Sequence, residues 1–78
     1  MTEEQFDGMR VVDVQTGELR YRVRDSRIVD ARTGQIAFRI REGARVVDAT
    51  TGQLVFRIRD GVRLVDVNSG TLRFRLRN

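Results

Sequence analysis

Arg45-Val46-Val47-Asp48-Ala49-Thr50-Thr51-Gly52-Gln53-Leu54-Val55-Phe56-Arg57-Ile58-Arg59 is the stretch on which the fold turns, because the chain repeats it. Near-copies begin at Arg10, Arg27 and Arg63, spaced 17 residues once and 18 twice. Each runs Arg, two aliphatics, Asp, two variable residues, Thr or Ser, Gly, and then a second segment ending aromatic, Arg, aliphatic, Arg. A period this short means that one supersecondary unit is arrayed, since a single copy cannot bury its own apolar face.

Inside the quoted unit, Leu54, Phe56 and Ile58 alternate with Val55, Arg57 and Arg59. A period of two is a strand with one buried face, and the recurring Gly speaks against helix. Asp48 to Gln53 reads as a tight hairpin loop in which the Asp side chain caps the turn and Gly52 supplies a left-handed conformation. A four-residue loop sets Val47 opposite Leu54 and Arg45 opposite Phe56. Between units, Asp60-Gly61 is a two-residue turn signal, with Glu42-Gly43 a weaker version. Pairing Arg59 with Val62 then sets Phe56 opposite Val65. The first junction is one residue shorter, and a three-residue loop of Arg24, Asp25 and Ser26 keeps Tyr21 opposite Val29.

The sequence therefore predicts an all-β chain: four tandem hairpins forming an eight-stranded antiparallel meander, a closed or nearly closed ring or barrel with pseudo-fourfold symmetry. Residues 1–8 form an N-terminal segment and partial turn, and 9–78 a single domain with units 9–26, 27–44, 45–62 and 63–78. Closure is expected because Asp7-Gly8-Met9-Arg10 matches Asp60-Gly61-Val62-Arg63, so the chain starts with an inter-unit turn and ends where the next would begin. Pairing the first strand with the last removes both exposed edges. The alternatives are an open sheet that closes by oligomerising and a two-strand-per-coil solenoid. The expected core is Val12, Leu19, Tyr21 and Val23 with their counterparts Val29, Ile36, Phe38, Ile40, then Val47, Leu54, Phe56, Ile58, and Val65, Leu72, Phe74, Leu76. Val14, Ala31, Ala49 and Val67 lie on the same side near the loops. Phe6 covers one mouth or extends the repeat as an outlying strand residue.

At 78 residues the chain is one small domain, burying only about 60% of its extended surface. It has no Cys and no His, which removes the usual ligands of transition metals and the usual nucleophile-base pairs. No enzymatic activity, cofactor or metal is expected. All 15 basic residues are Arg against 11 acidic ones, a formal charge of +4; this balance permits anionic partners. No apolar run approaches the ~18 residues of a membrane span, and the expected protein is soluble, cytoplasmic, with no transmembrane segment, able to associate peripherally with a membrane.

The run Val46-Val47-Asp48 through Phe56-Arg57-Ile58, with its copies, resembles the β-flower family, small bacterial proteins built of tandem short hairpins in a shallow symmetric ring. The pattern is more distantly similar to tubby-like and phospholipid-scramblase-like barrels, whose central helix has no counterpart in this sequence. The resemblance covers residues 7–78. It implies a fold and an association with lipid surfaces, and it carries no catalytic residue.

Two surfaces stand out in this register. Arg10, Arg27, Arg45 and Arg63 fall at the inter-unit-turn end on the apolar side, where a closed ring makes them a fourfold rim suited to phosphate or carboxylate. The competing reading pairs them with Asp7, Asp25, Glu42 and Asp60 in the adjacent turns. Val11, Ile28, Val46, Leu64, Ala37 and Val55 fall on the outer face, an aliphatic belt suited to self-association into a homo-oligomer or to an anionic lipid surface. At the other end, Asp13, Asp30, Asp48 and Asp66 read as turn caps in preference to a cation site. Specific nucleic-acid recognition is not expected, since the aromatics point inward and stacking platforms need them outside. These features describe a non-enzymatic structural or interaction module, or alternatively a module binding anions or phospholipid headgroups through an arginine rim.

Overall fold

The computed structural model describes residues 6–78, so residues 1–5 of the expected N-terminal segment lie outside the described residues. Eight strands follow in chain order: β1 Arg10–Asp13, β2 Leu19–Arg24, β3 Arg27–Asp30, β4 Ile36–Arg41, β5 Arg45–Asp48, β6 Leu54–Arg59, β7 Arg63–Asp66 and β8 Leu72–Arg77. Each pairs with its neighbours in an antiparallel meander, and β1 pairs with β8 to close a barrel. The seam repeats the inter-unit register: Arg10 lies opposite Arg77 as Arg63 lies opposite Arg59. Closure within one chain leaves no edge strand among the described residues and sets aside the open sheet and the solenoid.

The long loops form as their residues dictate. In the third unit the Gly52 N–H donates to the Asp48 carbonyl at 2.8 Å, and Asp48 Oδ1 accepts the N–H groups of Thr50 at 2.7 Å and Thr51 at 3.1 Å. Gly52 sits at φ 79 with open space where a Cβ would stand, so the backbone angle alone demands glycine.

Register departs from the sequence expectation at two places in each unit, and the two departures have opposite effects. Val47 does lie opposite Leu54, but Val46, not Arg45, faces Phe56. Val55 is thus an extra residue, a β-bulge, repeated at Arg20, Ala37 and Arg73. Between units, the Val62 N–H donates to the Arg59 carbonyl at 3.1 Å across the Asp60-Gly61 turn. The pair that opens the ladder is nevertheless Arg59 with Arg63, so that Ile58 meets Leu64 and Phe56 meets Asp66. The first junction, expected to be longer, is the tighter one: Arg24 pairs directly with Arg27 around Asp25-Ser26.

Because side chains alternate with period two, one residue at each end turns the short strands over and leaves the aromatic strands in place. Val11, Ile28, Val46 and Leu64, expected outside, are with Val23 the most deeply buried side chains, at 0–1% exposure. Val12, Val29, Val47 and Val65, expected inside, are half-buried on the outer wall. The bulge likewise carries Leu19 and Ile36 outward, to 36% and 40% exposure, and Leu54 and Leu72 are half-buried. The expected inward positions of Val23, Ile40, Phe56, Ile58, Phe74 and Leu76 are confirmed by burial.

The interior has fourfold order. Tyr21, Phe38, Phe56 and Phe74 form a closed cycle of edge-to-face contacts with centroids 5.5–5.7 Å apart and interplanar angles of 77–83°. Such pairs contribute about 0.5–1.5 kcal/mol each beyond area burial. Phe6 breaks the symmetry. It is 3% exposed and belongs to the core cluster, and Gly8 two residues later donates its N–H to the Val23 carbonyl at 2.8 Å. The N-terminal aromatic therefore tucks in at the inter-unit-turn end of the barrel.

Candidate functional site

Turning over the short strands moves the arginines as well. Arg10, Arg27, Arg45 and Arg63 are exposed and alternate with the buried Val11, Ile28, Val46 and Leu64. They stand on the outer wall, not on the apolar side, and the interior rim expected from the sequence does not form. A larger exterior feature takes its place. Each of these four residues has an arginine as its Cα partner on both neighbouring strands. The resulting triads are Arg22–Arg10–Arg77, Arg24–Arg27–Arg39, Arg41–Arg45–Arg57 and Arg59–Arg63–Arg75. Arg22 and Arg24 are also two apart on one strand face, as are Arg39 and Arg41, Arg57 and Arg59, and Arg75 and Arg77. The triads thereby join into an unbroken belt around the barrel, which takes up twelve of the fifteen arginines. All twelve are exposed.

The expected pairing with turn carboxylates is real but sparse among the described residues. Glu42 meets Arg45 at 3.1 Å and Asp60 meets Arg63 at 3.2 Å, both on exposed side chains. Exposed pairs of this kind contribute about 0.2–1 kcal/mol. Among the described residues four carboxylates, Asp7, Asp25, Glu42 and Asp60, share this end with the belt. At the long-loop end Asp13, Glu18, Asp30, Asp48 and Asp66 outnumber Arg20, Arg32 and Arg73. The barrel is therefore electrically polar along its axis, positive at the inter-unit-turn end.

Below the belt, the outer wall carries paired aliphatics: Val12 opposite Leu19, Val29 opposite Ile36, Val47 opposite Leu54 and Val65 opposite Leu72. On its other side each Val faces an arginine of the belt, Val12 Arg75, Val29 Arg22, Val47 Arg39 and Val65 Arg57. The self-association belt expected at Val11, Ile28, Val46, Val55 and Leu64 is corrected accordingly. Four of these are core, and Val55 is half-buried against that core. The aliphatic surface that does reach solvent belongs to residues assigned to the interior. A loop-length signal was available: Asp60-Gly61 is followed by Val62, which the three-residue reading would have kept in the loop.

The aspartates at the far end act as caps. Asp13 Oδ1 accepts from the Gln15 N–H at 2.7 Å and the Thr16 N–H at 3.2 Å, and Asp30 repeats this with Arg32 and Thr33. Those hydrogen bonds favour the ionised form and hold both carboxyls below the ordinary aspartate range, with Arg20 adding to the effect. Among the described residues no acidic cluster is grouped to hold a metal ion. A carboxylate with a depressed folded pKa stabilises the fold above its unfolded value, about pH 4, and that contribution is lost as pH falls through the folded pKa. The unfolding midpoint is accordingly expected to fall as pH drops below about 4. The drop should be shallower in the double variant Asp13→Asn, Asp30→Asn, which keeps the capping oxygens. Thermal melts at stepped pH would measure this, and an unchanged slope in the variant would count against it.

The described residues contain no helix long and apolar enough to cross a membrane. The eight-stranded antiparallel barrel of hairpins is the architecture that the β-flower resemblance implies. Comparison with protein families, curated proteins and solved structures returns no match for this chain.

Proposed function

We propose that this protein is a non-enzymatic, β-flower-like interaction module that binds phosphate-bearing anions through its exterior arginine belt. The observation that carries this reading is the set of direct cross-strand Arg–Arg pairs, one in every ladder of the barrel. Like charges directly opposite on one sheet face are destabilising, by roughly 0.2–1 kcal/mol per pair. A chain this small has little stability to spend in that way. Anions placed between neighbouring guanidiniums reverse the sign of the interaction, and planar paired donors match phosphate oxygens. The polarity of the barrel steers such partners to the belt end. The aromatics remain inside, so base stacking has no part in this binding.

Inorganic tripolyphosphate, compared with chloride at matched ionic strength, provides the test. At one hundred times its Kd a ligand of the folded state adds about 2.7 kcal/mol, and in a domain of this size about 1 kcal/mol moves the midpoint by 4–8 °C. The unfolding midpoint should therefore rise by ~10 °C or more at saturation. A midpoint that follows ionic strength alone would refute the proposal.

A further inference from the structure

The four triads are alike in sequence and unlike in surroundings. Asp60 and Glu42 turn their carboxylates onto Arg63 and Arg45. Asp7 holds the same place ahead of Arg10, yet its Oδ1 accepts the backbone N–H of Asp25 at 2.9 Å. Here the residue ahead of the turn is Phe6, seated in the core, and the turn carboxylate faces the neighbouring junction. Among the described residues no carboxylate forms an ion pair with Arg10, Arg22 or Arg77, nor with Arg24, Arg27 or Arg39, so two of the four triads are without carboxylate partners and the first is set apart by its groove.

The same three arginines border a groove of about 400 Å³, with Val12, Leu19 and Gly17 completing its lining. Leu19 is 36% exposed there because the bulge at Arg20 carries it outward. Gly17 contributes no side chain, so the groove stays open at its loop end. A groove along β6 and β7 holds about 220 Å³ and is lined by Arg57, Arg59 and Val65 together with Asp66, a carboxylate that repels anions. The groove over β1 and β2 thus combines three guanidiniums and an apolar floor, with no carboxylate among the described residues that line it.

We infer that the groove over the β1–β2 hairpin, flanked by Arg77 of β8, is the tightest anion site of the barrel and takes a phosphate monoester with an apolar substituent, the phosphate on Arg10, Arg22 and Arg77 and the substituent on Val12 and Leu19. This rests on the anion-binding reading above and adds a place and a ligand chemistry to it. A free monoester and a lipid bearing a terminal phosphate monoester share that chemistry.

Titration of the full chain with phenyl phosphate and with inorganic phosphate at low salt, followed by amide chemical shifts, tests the assignment. Phenyl phosphate should bind more tightly than inorganic phosphate, with the largest shifts along β1 and the start of β2. Arg10→Gln should weaken phenyl phosphate about tenfold, the loss of a charge-assisted contact worth about one decade, and Arg45→Gln less than about twofold. Leu19→Ser should bring phenyl phosphate down to the affinity of inorganic phosphate. Equal losses in Arg10→Gln and Arg45→Gln would overturn the assignment to this groove while leaving the belt as an anion site. Equal affinity of the two probes in the unmodified protein would overturn the apolar floor. No binding of either probe would remove the anion-binding reading itself. Sedimentation with phosphatidylcholine vesicles with and without phosphatidic acid separates the sources. Retention that requires phosphatidic acid and is lost in Arg10→Gln points to a lipid, and phenyl phosphate binding without retention points to a soluble ester.

Discussion

Val46→Glu abolishes folding, whereas Val47→Glu, one residue along the same strand, leaves the protein folded with its midpoint changed by the equivalent of about 1 kcal/mol or less. Val46 is 0% exposed and faces Phe56 in one ladder and Ile40 in the other. A carboxylate there has no partner, and even after relaxation an unpaired buried charge costs several kcal/mol. The core of a domain this small rarely supplies more than about 3–5 kcal/mol of net stability, so the penalty consumes the whole margin. Val47 is half-buried on the outer wall and lies opposite Arg39, so a glutamate there gains a cationic neighbour. Far-UV circular dichroism with thermal unfolding distinguishes the two variants. The sequence register demands the reverse outcome, a folded Val46→Glu and an unfolded Val47→Glu, and that result would show the short strands to be turned the other way.

How the sequence disclosed some of this and hid the rest follows from particular residues. The aromatic strands were readable because Phe56, Arg57, Ile58 and Arg59 alternate without interruption and the face they bury is fixed by composition. The Asp-to-Gly loops were readable because an aspartate four residues before a glycine has one inexpensive role, borne out by the Asp48 contacts to Thr50 and Thr51. Closure was readable from the match of Asp7-Gly8-Met9-Arg10 to the inter-unit turn Asp60-Gly61-Val62-Arg63. Arg45-Val46-Val47-Asp48 resisted, because it has an aliphatic on both faces and either parity gives a plausible strand. Its parity depends on loop length alone, and a bulge at Val55 with a three-residue junction at Asp60-Gly61-Val62 is equivalent in length to a regular hairpin with a two-residue turn. The arginine belt was hidden by the same ambiguity. Once Arg45 is placed outside, its cross-strand neighbours become Arg41 and Arg57, and the triads follow.

Removing one complete unit, residues 45–62, should eliminate the folded monomer even though every local junction survives. The deletion joins Ala44 to Arg63, which restores the natural Glu42-Gly43-Ala44-Arg turn, and each remaining hairpin keeps its own bulge and capped loop. What is lost is the number four. Barrel diameter is set by strand number and stagger, and the interior here is filled by a cycle in which each aromatic ring packs edge-to-face on the next around four units. Three units can neither close at this diameter nor complete that cycle. The alternative is an open sheet whose first and last strands present unpaired backbone groups, a template for association. The shortened chain is therefore expected to lose its cooperative thermal transition as a monomer and to appear as multimers in light scattering. A permuted chain that begins at Arg27 and runs Arg77 directly into Asp7 provides the control. It retains all four units and rebuilds the seam as an ordinary three-residue junction, since Arg10 already faces Arg77 in the inter-unit register. It lacks the core residue Phe6, so its midpoint should fall, but it should still unfold cooperatively as a monomer. A three-unit chain that unfolds cooperatively as a monomer would mean that hairpin junctions, not the fourfold aromatic interior, determine where this ring closes.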